Sequence, residues 1–121
     1  MYSDSFIKQV WEKGTKVEGY DKNLYRRDAS GAWIAFNAYG NRDSIFGWEI
    51  DHVYPQSKGG DDSIVNLRPL HWRNNESKGD DYPVYFIKLK AVDDHNEEVH
   101  ETRTVNDKLQ KILNKLYGKR D

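Results

Sequence analysis

One stretch constrains this chain more than any other: Trp48 to Asp80, WEIDHVYPQSKGGDDSIVNLRPLHWRNNESKGD. It opens on a β-prone run, Trp48, Ile50, Val53 and Tyr54, that carries Asp51 and His52 side by side. A turn-rich loop with Pro55, Gly59, Gly60, Asp61 and Asp62 follows. Next come a short apolar run, Asn66-Leu67-Arg68-Pro69-Leu70, and a polar stretch, residues 71–78, long enough for two turns of helix. The pattern predicts strand, long loop, strand, helix. A purely structural hairpin has no need of Asp, His and Asn together, so chemistry is expected here.

Composition narrows what that chemistry can be. With no cysteine, disulfides, a thiolate zinc site and a Cys nucleophile are excluded. The apolar share is only 36%, so the aromatics, four Trp, eight Tyr and four Phe, must supply much of the core. A length of 121 residues predicts one domain, residues 1–121, with its functional core at 46–80. The formal charge of −1 gives no global attraction to nucleic acid. Residues 107–121 are locally basic, because Lys108, Lys111, Lys115, Lys119 and Arg120 outnumber Asp107 and Asp121. A solvated helix face explains this charge as simply as a nucleic-acid contact does. Neither a signal peptide nor a membrane span is legible, so a soluble, cytoplasmic protein with no membrane partner is expected.

The flanks read as a scaffold. Phe6, Ile7, Val10 and Trp11 fall at helical spacing in residues 4–13, with Asp4 or Ser5 as the cap and Gly14 as the stop. Residues 15–31 read mostly as loop, Trp33–Phe36 as a short strand and Tyr39-Gly40-Asn41 as a turn. Residues 84–92 form a strand with one wetter face, and residues 97–103 return from a turn at 93–96. Thr104 and Asp107 resemble a capping box for an amphipathic helix that keeps its spacing to Tyr117 and ends at Gly118. His95 and His100 read as surface histidines.

On a strand, adjacent side chains point to opposite faces, so Asp51 and His52 can divide labour. If the helix packs on the hairpin, Asp51 and Asn75 can share one cation through hard oxygen ligands, an arrangement suited to Mg²⁺. The plainer alternative also stands: Asn66 merely starts a strand and Asn75 is a solvated helix residue.

Taken together, Asp51-His52, Pro55, Gly59-Gly60, Asn66-Leu67-Arg68-Pro69-Leu70, Asn75 and Lys78-Gly79-Asp80 resemble the signature of HNH endonucleases. The resemblance implies an α+β fold: a ββα-metal finger flanked by an N-terminal helix, additional short strands and a C-terminal amphipathic helix. By the same resemblance, Asp51 and Asn75 hold one divalent cation, Mg²⁺, with Mn²⁺ or Ni²⁺ able to replace it. His52 becomes the general base and Asn66 the residue that steadies the loop and the orientation of His52. Many family members carry structural-zinc cysteines, one pair at the positions of His71 and Asn74. This chain has none, so no structural zinc is expected, and His71 is assigned as an outer partner of the site or a capping residue.

The implied activity is DNA hydrolysis, one strand per finger, leaving 5′-phosphate and 3′-hydroxyl ends. The partner is DNA, with RNA left open, and the protein is a monomer or weak homodimer of bacterial or phage origin. Imidazole, with an ordinary pKa near 6.5, suits proton removal from water at neutral pH. Lys58, Arg68, Arg73 and Lys78 are the candidate phosphate contacts. The alternative is a catalytically silent nucleic-acid-binding module.

Overall fold

The computed structural model describes residues 1–118. Three helices and three antiparallel strand pairs make up this α+β structure. Lys119, Arg120 and Asp121, part of the expected basic tail, lie outside the described residues.

Helix α1, Asp4–Trp11, starts where the Ser3 side chain accepts a hydrogen bond from the Phe6 amide, so Ser3 is the cap rather than Asp4 or Ser5. Its apolar stripe delivers Val10 and Trp11 to a core with Ile34, Trp48 and Leu67. Trp11 meets Trp48 at 5.4 Å and the edge of Phe36 at 5.5 Å between ring centroids. Strand β1, Tyr25–Arg27, lies inside the segment expected to be loop and pairs with β2, Trp33–Ala35. Arg26 explains why so polar a strand is held. Its buried guanidinium donates to the carbonyls of Lys22, Glu12 and Gly14, closing the turn after α1.

Strands β3, Trp48–His52, and β4, Leu67–His71, pair with Asp51 opposite Arg68 and His52 opposite Leu67. Helix α2, Trp72–Lys78, follows at once. The hairpin bridges two cores: Trp48 and Leu67 enter the first, and Val53 enters a second with Tyr85, Ile87, Val105 and Leu113. The second core is roofed by β5, Val84–Val92, β6, His95–Thr104, and α3, Asp107–Tyr117. The α3 cap is Asn106, which accepts from the Leu109 amide, not the Thr104–Asp107 box.

Asn74 docks α2 onto β5. Its Oδ1 accepts from the amides of Lys88 and Leu89 while its Nδ2 donates to the Leu89 carbonyl, so the buried amide imitates a strand partner where β5 shifts register. Among the described residues no helix is long and apolar enough to cross a membrane.

Candidate active site

The loop between β3 and β4 is shaped by two glycines with different tasks. Gly59 takes φ +106°, the left-handed region that L side chains resist. Gly60 gives space: a Cβ there would stand 1.8 Å from the Tyr54 carbonyl oxygen. Fully buried Asn66 then ties the loop together. It accepts from the Tyr54 amide at 2.8 Å and donates to the carbonyls of Tyr54 and Asp61 at 3.0 and 3.1 Å. Every polar atom of its amide is used, so Asn66 holds the segment that follows His52 in one shape.

His52, at the end of β3, is half-buried, and its Nε2 lies 2.7 Å from Asp62 Oδ1. The same oxygen accepts the Tyr2 hydroxyl at 3.0 Å. Hydrogen bonds from His52 and Tyr2 hold the Asp62 carboxyl below its ordinary range. Burial and the Asp62 hydrogen bond push Tyr2 up to about 12, so it remains a donor. The neighbouring Asp61 accepts from the Ser63 amide and the Tyr117 hydroxyl. Both ends of the described chain thus grip this loop.

Asp51 points inward and is 3% exposed. Its Oδ2 accepts from Arg68 Nε at 3.0 Å and its Oδ1 lies 3.3 Å from Lys78 Nζ. Lys78, whose side chain is fully buried, also donates to the His52 carbonyl at 3.2 Å. Burial pulls the Lys78 ammonium below its usual value against the upward pull of Asp51. Arg68 also stacks over Tyr85, 5.1 Å from guanidinium carbon to ring centre.

These contacts correct the expectation that Arg68 and Lys78 touch phosphate. Both are turned into the protein, where they balance Asp51. Lys58 is exposed on the loop, and Arg73 is partly exposed beside Glu98 at 3.1 Å, so only these two of the four face solvent.

Asn75 sits on the opposite wall, on α2. Its Nδ2 donates to Glu49 Oε1 at 3.0 Å, while Arg42 forms a forked pair with the same carboxylate at 2.7 and 3.0 Å. Burial alone would raise the Glu49 pKa; Arg42 and Asn75 bring it below the ordinary carboxylate value. Because Glu49 only accepts, it fixes which end of the Asn75 amide is nitrogen and leaves the carbonyl Oδ1 outside this bond.

Asp51, His52 and Asn75 line one polar pocket of about 130 Å³ together with Ile50, Pro55, Gln56, Gly79 and Asp80. At about 30 Å³ per water, it has room for an ion carrying a few waters. The donor set is a carboxylate and an amide oxygen, hard ligands of the kind Mg²⁺ takes. Among the described residues no group of three or more His, Cys, Asp or Glu gathers as a metal site, so water and substrate would have to complete the shell of a bound ion. Within those limits the residues fit.

His71 belongs elsewhere. It caps α2, Nδ1 accepting from the Arg73 amide at 3.1 Å, while Nε2 donates to the Ile45 carbonyl at 2.9 Å. Its backbone amide and the Asn74 side chain both donate to buried Asp28. Of the two roles expected for His71, an outer partner of the site or a cap, the structure shows the cap. At the two positions where zinc-binding members of the resembled family carry cysteines, this chain has a polar lock on Asp28.

Sequence reasoning missed Glu49 and Asp62, the carboxylates that touch Asn75 and His52. Asp62 looked like turn chemistry. Alternation along β3 places Glu49 on the same face as Asp51, two residues on, and that was the available signal.

Comparison with curated proteins and with solved structures gave no match. A family model described as HNH endonuclease matches residues 40–84. That span contains β3, β4, α2 and every residue lining the pocket. Over residues 40–84 this chain is therefore similar to the HNH endonucleases.

Proposed function

We propose that the protein is a divalent-metal-dependent DNA endonuclease and that the β3–β4–α2 unit is its ββα-metal finger. One observation carries the reading: the adjacent Asp51 and His52 on β3 and Asn75 on α2, 23 residues after His52, converge on a single polar pocket. The HNH match over the same residues supports it.

His52 removes the proton from an attacking water, and Asn66 keeps the following loop, and with it the ring, in place. Asp51 and the Asn75 carbonyl oxygen hold the cation; Glu49 orients the amide, and Arg68 and Lys78 fix the carboxylate. When bound, a divalent cation there would stabilise negative charge on the phosphate and on the departing 3′-oxygen. Lys58 and Arg73 are the proposed phosphate contacts. Hydrolysis at one finger cuts one strand and leaves 5′-phosphate and 3′-hydroxyl ends.

Charge balance sets the metal affinity. Asp51 sits between two cations that already balance its charge before any ion arrives. Affinity for free Mg²⁺ should be weak, with water and substrate phosphate supplying most of the coordination. That same balance favours the competing reading, a silent nucleic-acid-binding module, because Asp51 is satisfied without a metal.

Supercoiled plasmid incubated with Mg²⁺, Mn²⁺, Ni²⁺, Zn²⁺ or EDTA separates the two. The nuclease reading expects nicked circles with Mg²⁺ or Mn²⁺ and none with EDTA. Retarded but uncut DNA under every metal would favour the silent module.

A further inference from the structure

Asp62 is the residue whose placement neither fold nor stability explains. Its side chain is 61% exposed, and an exposed ion pair adds little to stability. Even so, it is held on several sides. Tyr2 reaches its Oδ1 from ahead of α1, Tyr117 and the Ser63 amide fix Asp61, and Asn66 holds the Asp61 carbonyl. All these tethers act on the short segment that meets the imidazole of His52.

Hydrogen-bond chemistry then assigns the proton. Tyr2 donates to Asp62, and an ionised carboxylate can only accept. The short contact from His52 Nε2 to Asp62 Oδ1 therefore requires the neutral ring to carry its hydrogen on Nε2. The lone pair is left on Nδ1, on a ring that lines the pocket shared with Asp51 and Asn75. A ring free to exchange tautomers would present a usable lone pair only part of the time.

We infer that Asp62, anchored by Tyr2, is a positioning residue that locks His52 in the Nε2–H tautomer and presents Nδ1 as the base. The catalytic consequence rests on the nuclease reading; the tautomer does not.

The test uses the full chain with ¹⁵N-labelled histidine. Only four histidines are present, so loss of one signal set in His52→Ala assigns the ring. At a pH where His52 is neutral, two-bond ¹H–¹⁵N correlation should give a pyrrole-type Nε2 and a pyridine-type Nδ1. Asp62→Ala should blend the two shifts toward an average. It should also lower the kcat of nicking by about ten- to a hundredfold, as loss of an orienting partner does, with KM for DNA unchanged. A wild-type ring protonated on Nδ1 would overturn the proposal, and this is read without any variant. An unchanged tautomer or an unchanged kcat in Asp62→Ala would overturn it too. If wild-type protein cuts no DNA with any metal, the nuclease reading fails, and the spectrum alone decides whether Asp62 sets the ring.

Discussion

Gly60 shows how much one residue can decide. The missing Cβ lets the Tyr54 carbonyl and the Asn66 amide close on the loop, and the obstacle to any side chain is backbone, which cannot swing aside. Gly60→Ala should destabilise the protein by several kcal/mol or displace the loop, a cost typical of overpacking or larger. Denaturant melts would measure the first and loss of nicking the second. Buried Lys78 makes the complementary case. Lys78→Ala leaves the Asp51 carboxylate short of a partner, and breaking such a pair costs about 3–5 kcal/mol. A fall in denaturation midpoint with unchanged m would confirm it; wild-type stability would show that Arg68 alone suffices. At this scale the sequence was legible in the placement of Asp51, His52 and Asn75 at one pocket and of Asn66 in the loop, which the joint signature implied. It was not legible for Arg68 and Lys78, since a cation beside a catalytic motif reads as a phosphate contact until burial is known. Glu49 and Asp62 were hidden for a related reason: their roles depend on partners 26 and 10 residues away.

Helix α2 is only seven residues long, too short to hold itself, and it stands on its cap and its docking. His71 supplies the cap. His71→Ala should cost about 2–4 kcal/mol through a lost cap and a cavity, and His71→Asn should recover about 1 kcal/mol by restoring an acceptor. Burial lowers the His71 pKa, so the unfolded chain binds a proton before the folded one does. Its contribution is therefore present above the ordinary value near 6.5 and is lost as pH falls below it. Buried Asp28, raised mainly by burial, pulls the opposite way on acidification and is present in both proteins. The comparison is thus the difference: below about pH 6.5 wild type should lose stability more steeply than His71→Asn, and parallel curves would contradict a neutral, buried His71. Elements with strong periodicity were legible to within a residue or two, β3, β4, α2, β5 and α3 among them. Strand β1 was not, because Tyr25-Arg26-Arg27 has no apolar alternation and exists through pairing with β2 and the reach of Arg26. The caps moved from the expected residues to Ser3 and Asn106 because several polar side chains precede each helix and only geometry selects among them.

On the scale of the whole molecule, apolar and aromatic side chains fill both cores. Trp11, Trp48 and Leu67 fill one, Tyr85, Ile87 and Leu113 the other, and Asp51 has its charge balanced by the chain itself. EDTA should therefore abolish cleavage and leave the melting temperature unchanged; unfolding by EDTA would show that the site holds the fold together. Helix α3 turns Leu113 inward and leaves Lys111 and Lys115 exposed. Reversing both to Glu should weaken DNA binding at low salt and matter little at high salt. Equal binding at low salt would leave α3 a packing role alone. The most direct measurement of the central claim is plasmid nicking by His52→Ala beside DNA binding by the same protein. His52 is half-buried at the end of a strand, and Asp51, Asn75 and their partners do not depend on its ring, so the variant should fold and bind DNA in Mg²⁺ like wild type. Proton transfer from water disappears, and the nicking rate should fall by about 10²–10⁴-fold. Nicking at the wild-type rate, in protein free of contaminating nuclease, would contradict the assignment of His52 as the base.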